Sequence, residues 1–163
     1  EPEPENYDFL CRNIERNKSN ATPIKAGVVA GETGTLDLYV CGGVYNKYRH
    51  TIFKKRGRKS ITIDVHNFKG VLEKYQPNGI KLDIEGAEID ILDSMKPDDW
   101  PDCVNQVTFE YSFDIDPSIA RFKRIVDSLG AHFDIVHHRK MDWNKEKYDY
   151  WPAAVMVYAK KNE

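Results

Sequence analysis

The sequence predicts an α/β fold, a mixed sheet with helices on both faces. Alternating apolar runs such as "TLDLYV" at 35–40 and "SITIDVHNF" at 60–68 have the two-residue period of half-buried strands. Other stretches place apolar residues three and four apart, which marks one face of a helix. The two patterns take turns along most of the chain, and such alternation builds helices onto a sheet.

Taken in order, Tyr7, Leu10, Cys11 and Ile14 line one helix face. Pro4 suits the first turn, where its missing N–H has no partner to lose, and Glu3 and Glu5 suit the positive end of the helix dipole. Ile24 to Val29 reads as a short buried strand, with Gly31 and Gly34 marking the turn into Leu36, Leu38 and Val40. Ile61, Ile63 and Val65 repeat the alternation, after which Asn67 is placed to cap a helix carrying Val71 and Leu72. Gln76-Pro77-Asn78-Gly79 stops that helix.

Ile80, Leu82 and Ile84 make the next strand, and Ala87, Ile91 and Met95 fall four apart on the helix that follows. Val104 to Phe109 is another strand. Ile119, Phe122, Val126 and Leu129 form a helical stripe ended by Gly130. The runs "HFDIVHH" and "AAVMVYA" close the chain as an expected antiparallel strand pair.

With 163 residues, the chain is expected to form a single domain over 1–163. The apolar share of 40%, charged share of 31% and formal net charge of -2 carry no global signal for nucleic acid. Cys11, Cys41 and Cys103 are an odd set without C-x-x-C spacing, which suggests neither a disulfide framework nor a thiolate metal site and places the chain in the reducing cytoplasm. No apolar run reaches the length of a membrane span, and the first residues lack a signal-peptide pattern. Lys54 to Lys59 holds five cations in six residues, read either as a solvated loop or as a clamp for an anion.

The stretch "KLDIEGAEIDIL" at 81–92 gathers Asp83, Glu85, Glu88 and Asp90 where a strand gives way to a helix. Ligands of open α/β sheets bind at such carboxyl ends. Glu88 and Asp90 fall in the first helical turn, where the dipole favours acids anyway, so both read as structural. Asp83 and Glu85 flank a strand that otherwise reads as buried. A second acid, Glu110, ends "QVTFEY", and because successive strands usually pair, Asp83 and Glu110 are expected to meet. Two such carboxylates can act as general base, hold a magnesium-type ion or bind sugar hydroxyls; two unrelated solvated acids is the plainer reading. Glu1 stands where nucleotide-binding sheets carry a ribose-binding acid, although an acid before a helix is also ordinary capping.

Together, "EPEPENYDFLCRNIERN", "IKAGVVAGETGTLDLYV", "SITIDVHNFKGVLEKY" and above all "IKLDIEGAEIDIL" resemble the FkbM-type family of S-adenosylmethionine-dependent O-methyltransferases, over most of residues 1–111. The resemblance implies a Rossmann-like class I methyltransferase sheet, mostly parallel with a late antiparallel pair. It implies that Glu1 binds the cofactor ribose, that Pro2 lies by the adenosine and Ala26 and Gly27 near adenine, and that Asp83 sits by the methionine moiety with Glu85 behind it. The family's first strand and glycine-rich turn should precede Glu1, so the chain is expected to be the C-terminal part of a longer catalytic domain.

The implied function is methyl transfer to a hydroxyl of a sugar or other small polyol, with Asp83, Glu85 and Glu110 as candidate bases and no committed metal site. The expected partner is a small-molecule or glycan substrate, not nucleic acid. An NAD-dependent oxidoreductase is the second reading, because a ribose-binding acid serves both cofactors. A non-catalytic scaffold domain is the third. Further contacts could come from His50, His137 and His138, or from Tyr45, Tyr48, Trp143, Tyr148 and Trp151 stacking on sugar rings.

Overall fold

A computed structural model describes residues 1–40, 50–52, 59–141 and 154–162. Cys41, Tyr45, Tyr48, Trp143, Tyr148, Trp151 and residues 54–58 of the cationic run lie outside the described residues. The chain divides into two compact units, Glu1–Phe68 and Lys69–Glu163.

In the first unit, helix α1 spans Pro4–Arg16, with Pro4 in the first turn as its chemistry dictates. The Glu3 carboxylate caps it by accepting from the Asn6 N–H at 2.6 Å. No residue of α1 is buried. Strands β1 (Gly27–Val29), β2 (Gly34–Val40) and β3 (Lys59–Asn67) form a sheet ordered β1-β3-β2, in which β1 runs parallel and β2 antiparallel to β3. β1 is shorter than the expected 24–29, and Ile24 is 37% exposed. Val29, Leu38, Ile63 and Val65 form the core of this sheet, with Leu36, Ile52 and Ile61 packed against it. Asn67 ends β3 directly ahead of the next helix, where the sequence placed it, and its side-chain amide donates to the Ala30 and Gly31 carbonyls and ties down the turn after β1.

Helix α2 (Phe68–Tyr75) begins at the boundary and ends where Gln76 takes a φ of 46°. The second unit then runs β4 (Gly79–Leu82), α3 (Ala87–Ser94), a 3-10 turn at Pro97–Asp99, β5 (Gln106–Ser112), α4 (Ile119–Gly130), β6 (Ile135–Met141) and β7 (Ala154–Lys160). Its sheet is ordered β4-β5-β7-β6. β4 and β5 are parallel, and β7 runs antiparallel to both of its neighbours. The late antiparallel pair is therefore present, with β7 inserted beside β5. Among the described strands both sheets are mixed, which corrects the expectation of one mostly parallel sheet. The physical reason is that alternation fixes the face a side chain takes and not the direction of the neighbouring strand: β5 alternates, yet pairs parallel with β4 and antiparallel with β7.

Alternation in β5 buries Val107, Phe109 and Tyr111 completely, and Val157 of β7 joins them. α3 lies against β5, and α4 against β6 and α3. Ala87, Ile91 and Met95 are all buried as their spacing requires. Tyr111 stacks edge-on to Phe122 at 5.0 Å and donates its hydroxyl to the Ser118 carbonyl at 3.0 Å, joining strand to helix. Burial is the main reason its phenol is pushed up to about 12.

Candidate active site

The site residues of the second unit gather at the carboxyl end of β4. Parallel pairing sets Leu82 beside Phe109, with both side chains in the core. One residue further, Asp83 and Glu110 therefore point to the other face, because successive side chains alternate. Lys81 shares that face. Its ammonium contacts Asp83 Oδ2 at 2.8 Å, and the hydrogen bond to Asp83, its charge and that of Glu110 all raise the lysine pKa. The expected meeting of Asp83 and Glu110 thus takes the form of two acids around one lysine. Asp83 is not buried as its strand suggested: its side chain is 48% exposed, and among the described residues its Oδ1 has no hydrogen-bond partner.

The turn after Asp83 is held in unusual backbone. Glu85 has φ 57° and Gly86 φ 110°, both in the left-handed region, where only glycine is comfortable. Left-handed non-glycine residues are concentrated at functional turns. This conformation directs the chain from β4 into α3 within four residues, leaving the Glu85 side chain half-buried.

Glu88 is the residue that sequence reasoning set aside. It is 2% exposed, and both its carboxylate oxygens accept from the Gly86 N–H, at 3.1 and 3.0 Å. Burial pushes its carboxyl up to about 7, against the pull of backbone N–H groups, and the nearby Asp83 charge adds to the rise. An acid in the first turn of a helix looks like dipole chemistry, and only burial separates this one from Asp90. Asp90 is structural as expected: it accepts from Arg121 at 2.6 Å. Arg121 also reaches Asp93 at 2.8 Å and Asp116 at 2.9 Å, which joins α3 to the start of α4.

In the first unit, Glu1, Pro2, Ala26 and Gly27 come together. The Glu1 nitrogen donates to the Ile24 and Ala26 carbonyls at 3.2 and 3.5 Å, so Glu1 runs beside the entry to β1. Its Oε1 accepts from the Glu3 N–H at 2.9 Å, and among the described residues its second oxygen has no hydrogen-bond partner. A Cβ on Gly27 would meet Val65 at 3.2 Å, so a larger residue there would press on β3. Of the histidines, His50 is half-buried. His137 stacks on Tyr158 at 6.4 Å between centroids and His138 meets Phe122 edge-on at 6.0 Å, so the neighbours point to opposite faces. Among the described residues, no group of three or more His, Cys, Asp or Glu is arranged to hold a metal ion, and no helix is long and apolar enough to cross a membrane.

The profile of the methyltransferase FkbM domain matches residues 1–148, a span that contains every site residue above. The chain belongs to the FkbM methyltransferase domain family. A methyltransferase named sdnD from Sordaria araneosa is 26% identical over 183 aligned positions, covering 91% of this chain and 68% of the relative. No solved structure matches. In this FkbM domain, the turn at 83–86 and its supporting Glu88 are the structural form of the "D-I-E-G-A-E" stretch.

Proposed function

We propose that the chain is an S-adenosylmethionine-dependent O-methyltransferase acting on a hydroxyl of a sugar or other small polyol. Residues 1–163 are read as one methyltransferase-like domain with a Rossmann-like sheet, working in the cytoplasm, where the free thiols Cys11 and Cys103 would stay reduced. The observation that carries the reading is the turn at 83–86, where strained backbone presents Asp83 on the same sheet face as Glu110.

The residues present suit the cofactor's chemistry. The second oxygen of Glu1 is an acceptor-only group suited to a ribose diol, and Asp83 Oδ1 is an anionic acceptor suited to the cationic end. When bound, S-adenosylmethionine supplies an electrophilic methyl group on a sulfonium. The protein's part is to align an acceptor oxygen with that carbon and to exclude water. Asp83, Glu85 and Glu110 are the candidates to take the hydroxyl proton. The polyol class is supported by the polar character of this face, where Thr108, Glu110 and Ser112 alternate with the buried core residues of β5.

Calorimetry of the full chain with S-adenosylhomocysteine and with NAD tests the reading, together with mass spectrometry of a sugar and polyol panel incubated with the methyl donor. Binding of the first ligand and a mass gain of one methyl on a hydroxyl are expected. Binding of NAD instead would favour the oxidoreductase, and binding of neither a scaffold domain.

A further inference from the structure

Glu88 is the second residue of α3 and is almost fully buried. The helix dipole explains an acid at this position but not its burial, since an exposed acid would meet the dipole equally well. Its partners are backbone groups of the turn: both oxygens accept from the Gly86 N–H, and backbone hydrogen bonds of Glu88 itself and Ile84 also favour its charged form. Gly86 and the preceding Glu85 are the two left-handed residues of the turn, and such backbone persists only where its surroundings hold it. Asp83 is the neighbouring charge that acts on Glu88, while Asp90 on the same helix is occupied by Arg121.

We propose that Glu88 is a positioning residue: its buried carboxyl clamps the Gly86 amide and thereby fixes the directions in which Asp83 and Glu85 leave the end of β4. The inference rests on the reading of those acids as the donor-facing group. Leucine at position 88 would fill the space without an acceptor, whereas glutamine would keep one acceptor oxygen. The clamp therefore depends on the acceptor and not on the volume.

The test uses the full chain as wild type, Glu88→Leu and Glu88→Gln, and reads Gly86 amide exchange by NMR, S-adenosylhomocysteine affinity by calorimetry and melting temperature. In Glu88→Leu, Gly86 is expected to exchange about tenfold faster and the ligand to bind about tenfold more weakly, the size of one lost hydrogen bond. Glu88→Gln is expected to restore both to within about threefold. Should the leucine variant not fold, Glu88→Asp, shorter by one methylene, is expected to show the same losses. Unchanged Gly86 exchange overturns the clamp, and faster exchange with unchanged affinity overturns the positioning role. If wild type itself does not bind the ligand, the methyltransferase reading fails first, and the positioning role falls with it while Gly86 exchange still judges the clamp.

Discussion

Lys81 Nζ lies 2.8 Å from Asp83 Oδ2, on the sheet face that also carries Glu110. The lysine and aspartate side chains are 64% and 48% exposed, so the pair adds only about 0–1 kcal/mol to stability. Its chemical effect is larger, because Lys81 competes with any other cation for both acids. Replacing Lys81 with Met is expected to leave the melting temperature nearly unchanged. Affinity for the sulfonium donor should rise about threefold to tenfold relative to the uncharged thioether product. Calorimetry with the two ligands checks the ratio.

Arg121 is expected to matter for stability. Burial alone would lower the pKa of its guanidinium, but hydrogen bonds to Asp90, Asp116 and Asp93 raise it overall. Asp93 and Asp116 are only 22% and 20% exposed, so removing the arginine leaves Asp116 with little access to water and Asp93 dependent on Arg124 alone. Arg121→Met should destabilise by about 2–4 kcal/mol, and Arg121→Lys should recover less than half, because an ammonium cannot fork to three carboxylates. Urea unfolding measures both.

Much of this was legible in the sequence. Apolar spacing located the described α-helices, and Ala87, Ile91 and Met95 went to the core as their four-residue interval required. Adjacent pairing of β4 and β5 followed from chain order, and it brought Asp83 and Glu110 to one face. Strand direction was not legible, because a two-residue period fixes which face a side chain takes and not which neighbour its strand joins. Insertion of β7 between β5 and β6 is such a case. The burial of Glu88 was not legible for a related reason: the helix dipole favours an acid at that position whether exposed or buried, and only the packing around α3 buries it.

Stability should depend on pH through Glu88. Its folded pKa of about 7 exceeds the ordinary 4.5, so between these values the folded state holds a proton that the unfolded state has released. Stability contributed by this group is therefore full below pH 4.5, falls as pH rises toward 7 and is level above it. The loss is on the order of 3 kcal/mol. Glu88→Gln removes the titration, so urea midpoints of variant and wild type should converge at pH 5 and separate at pH 8 in the variant's favour.

Gly86 is expected to resist substitution. At φ 110° a side chain meets its own backbone, so Gly86→Ala should destabilise by about 1–2 kcal/mol and displace the turn that carries Asp83 and Glu85. Thermal unfolding gives the first effect. Loss of S-adenosylhomocysteine binding beyond that seen in an equally destabilised core variant gives the second.

Hydrogen exchange with mass spectrometry on the full chain, with and without S-adenosylhomocysteine, tests the assigned site most directly. Ligand-dependent protection is expected in peptides covering 81–92, with little change in peptides covering 119–130. Protection confined to other segments, or none at saturating ligand, would contradict the proposed role of Asp83 at the methyl donor.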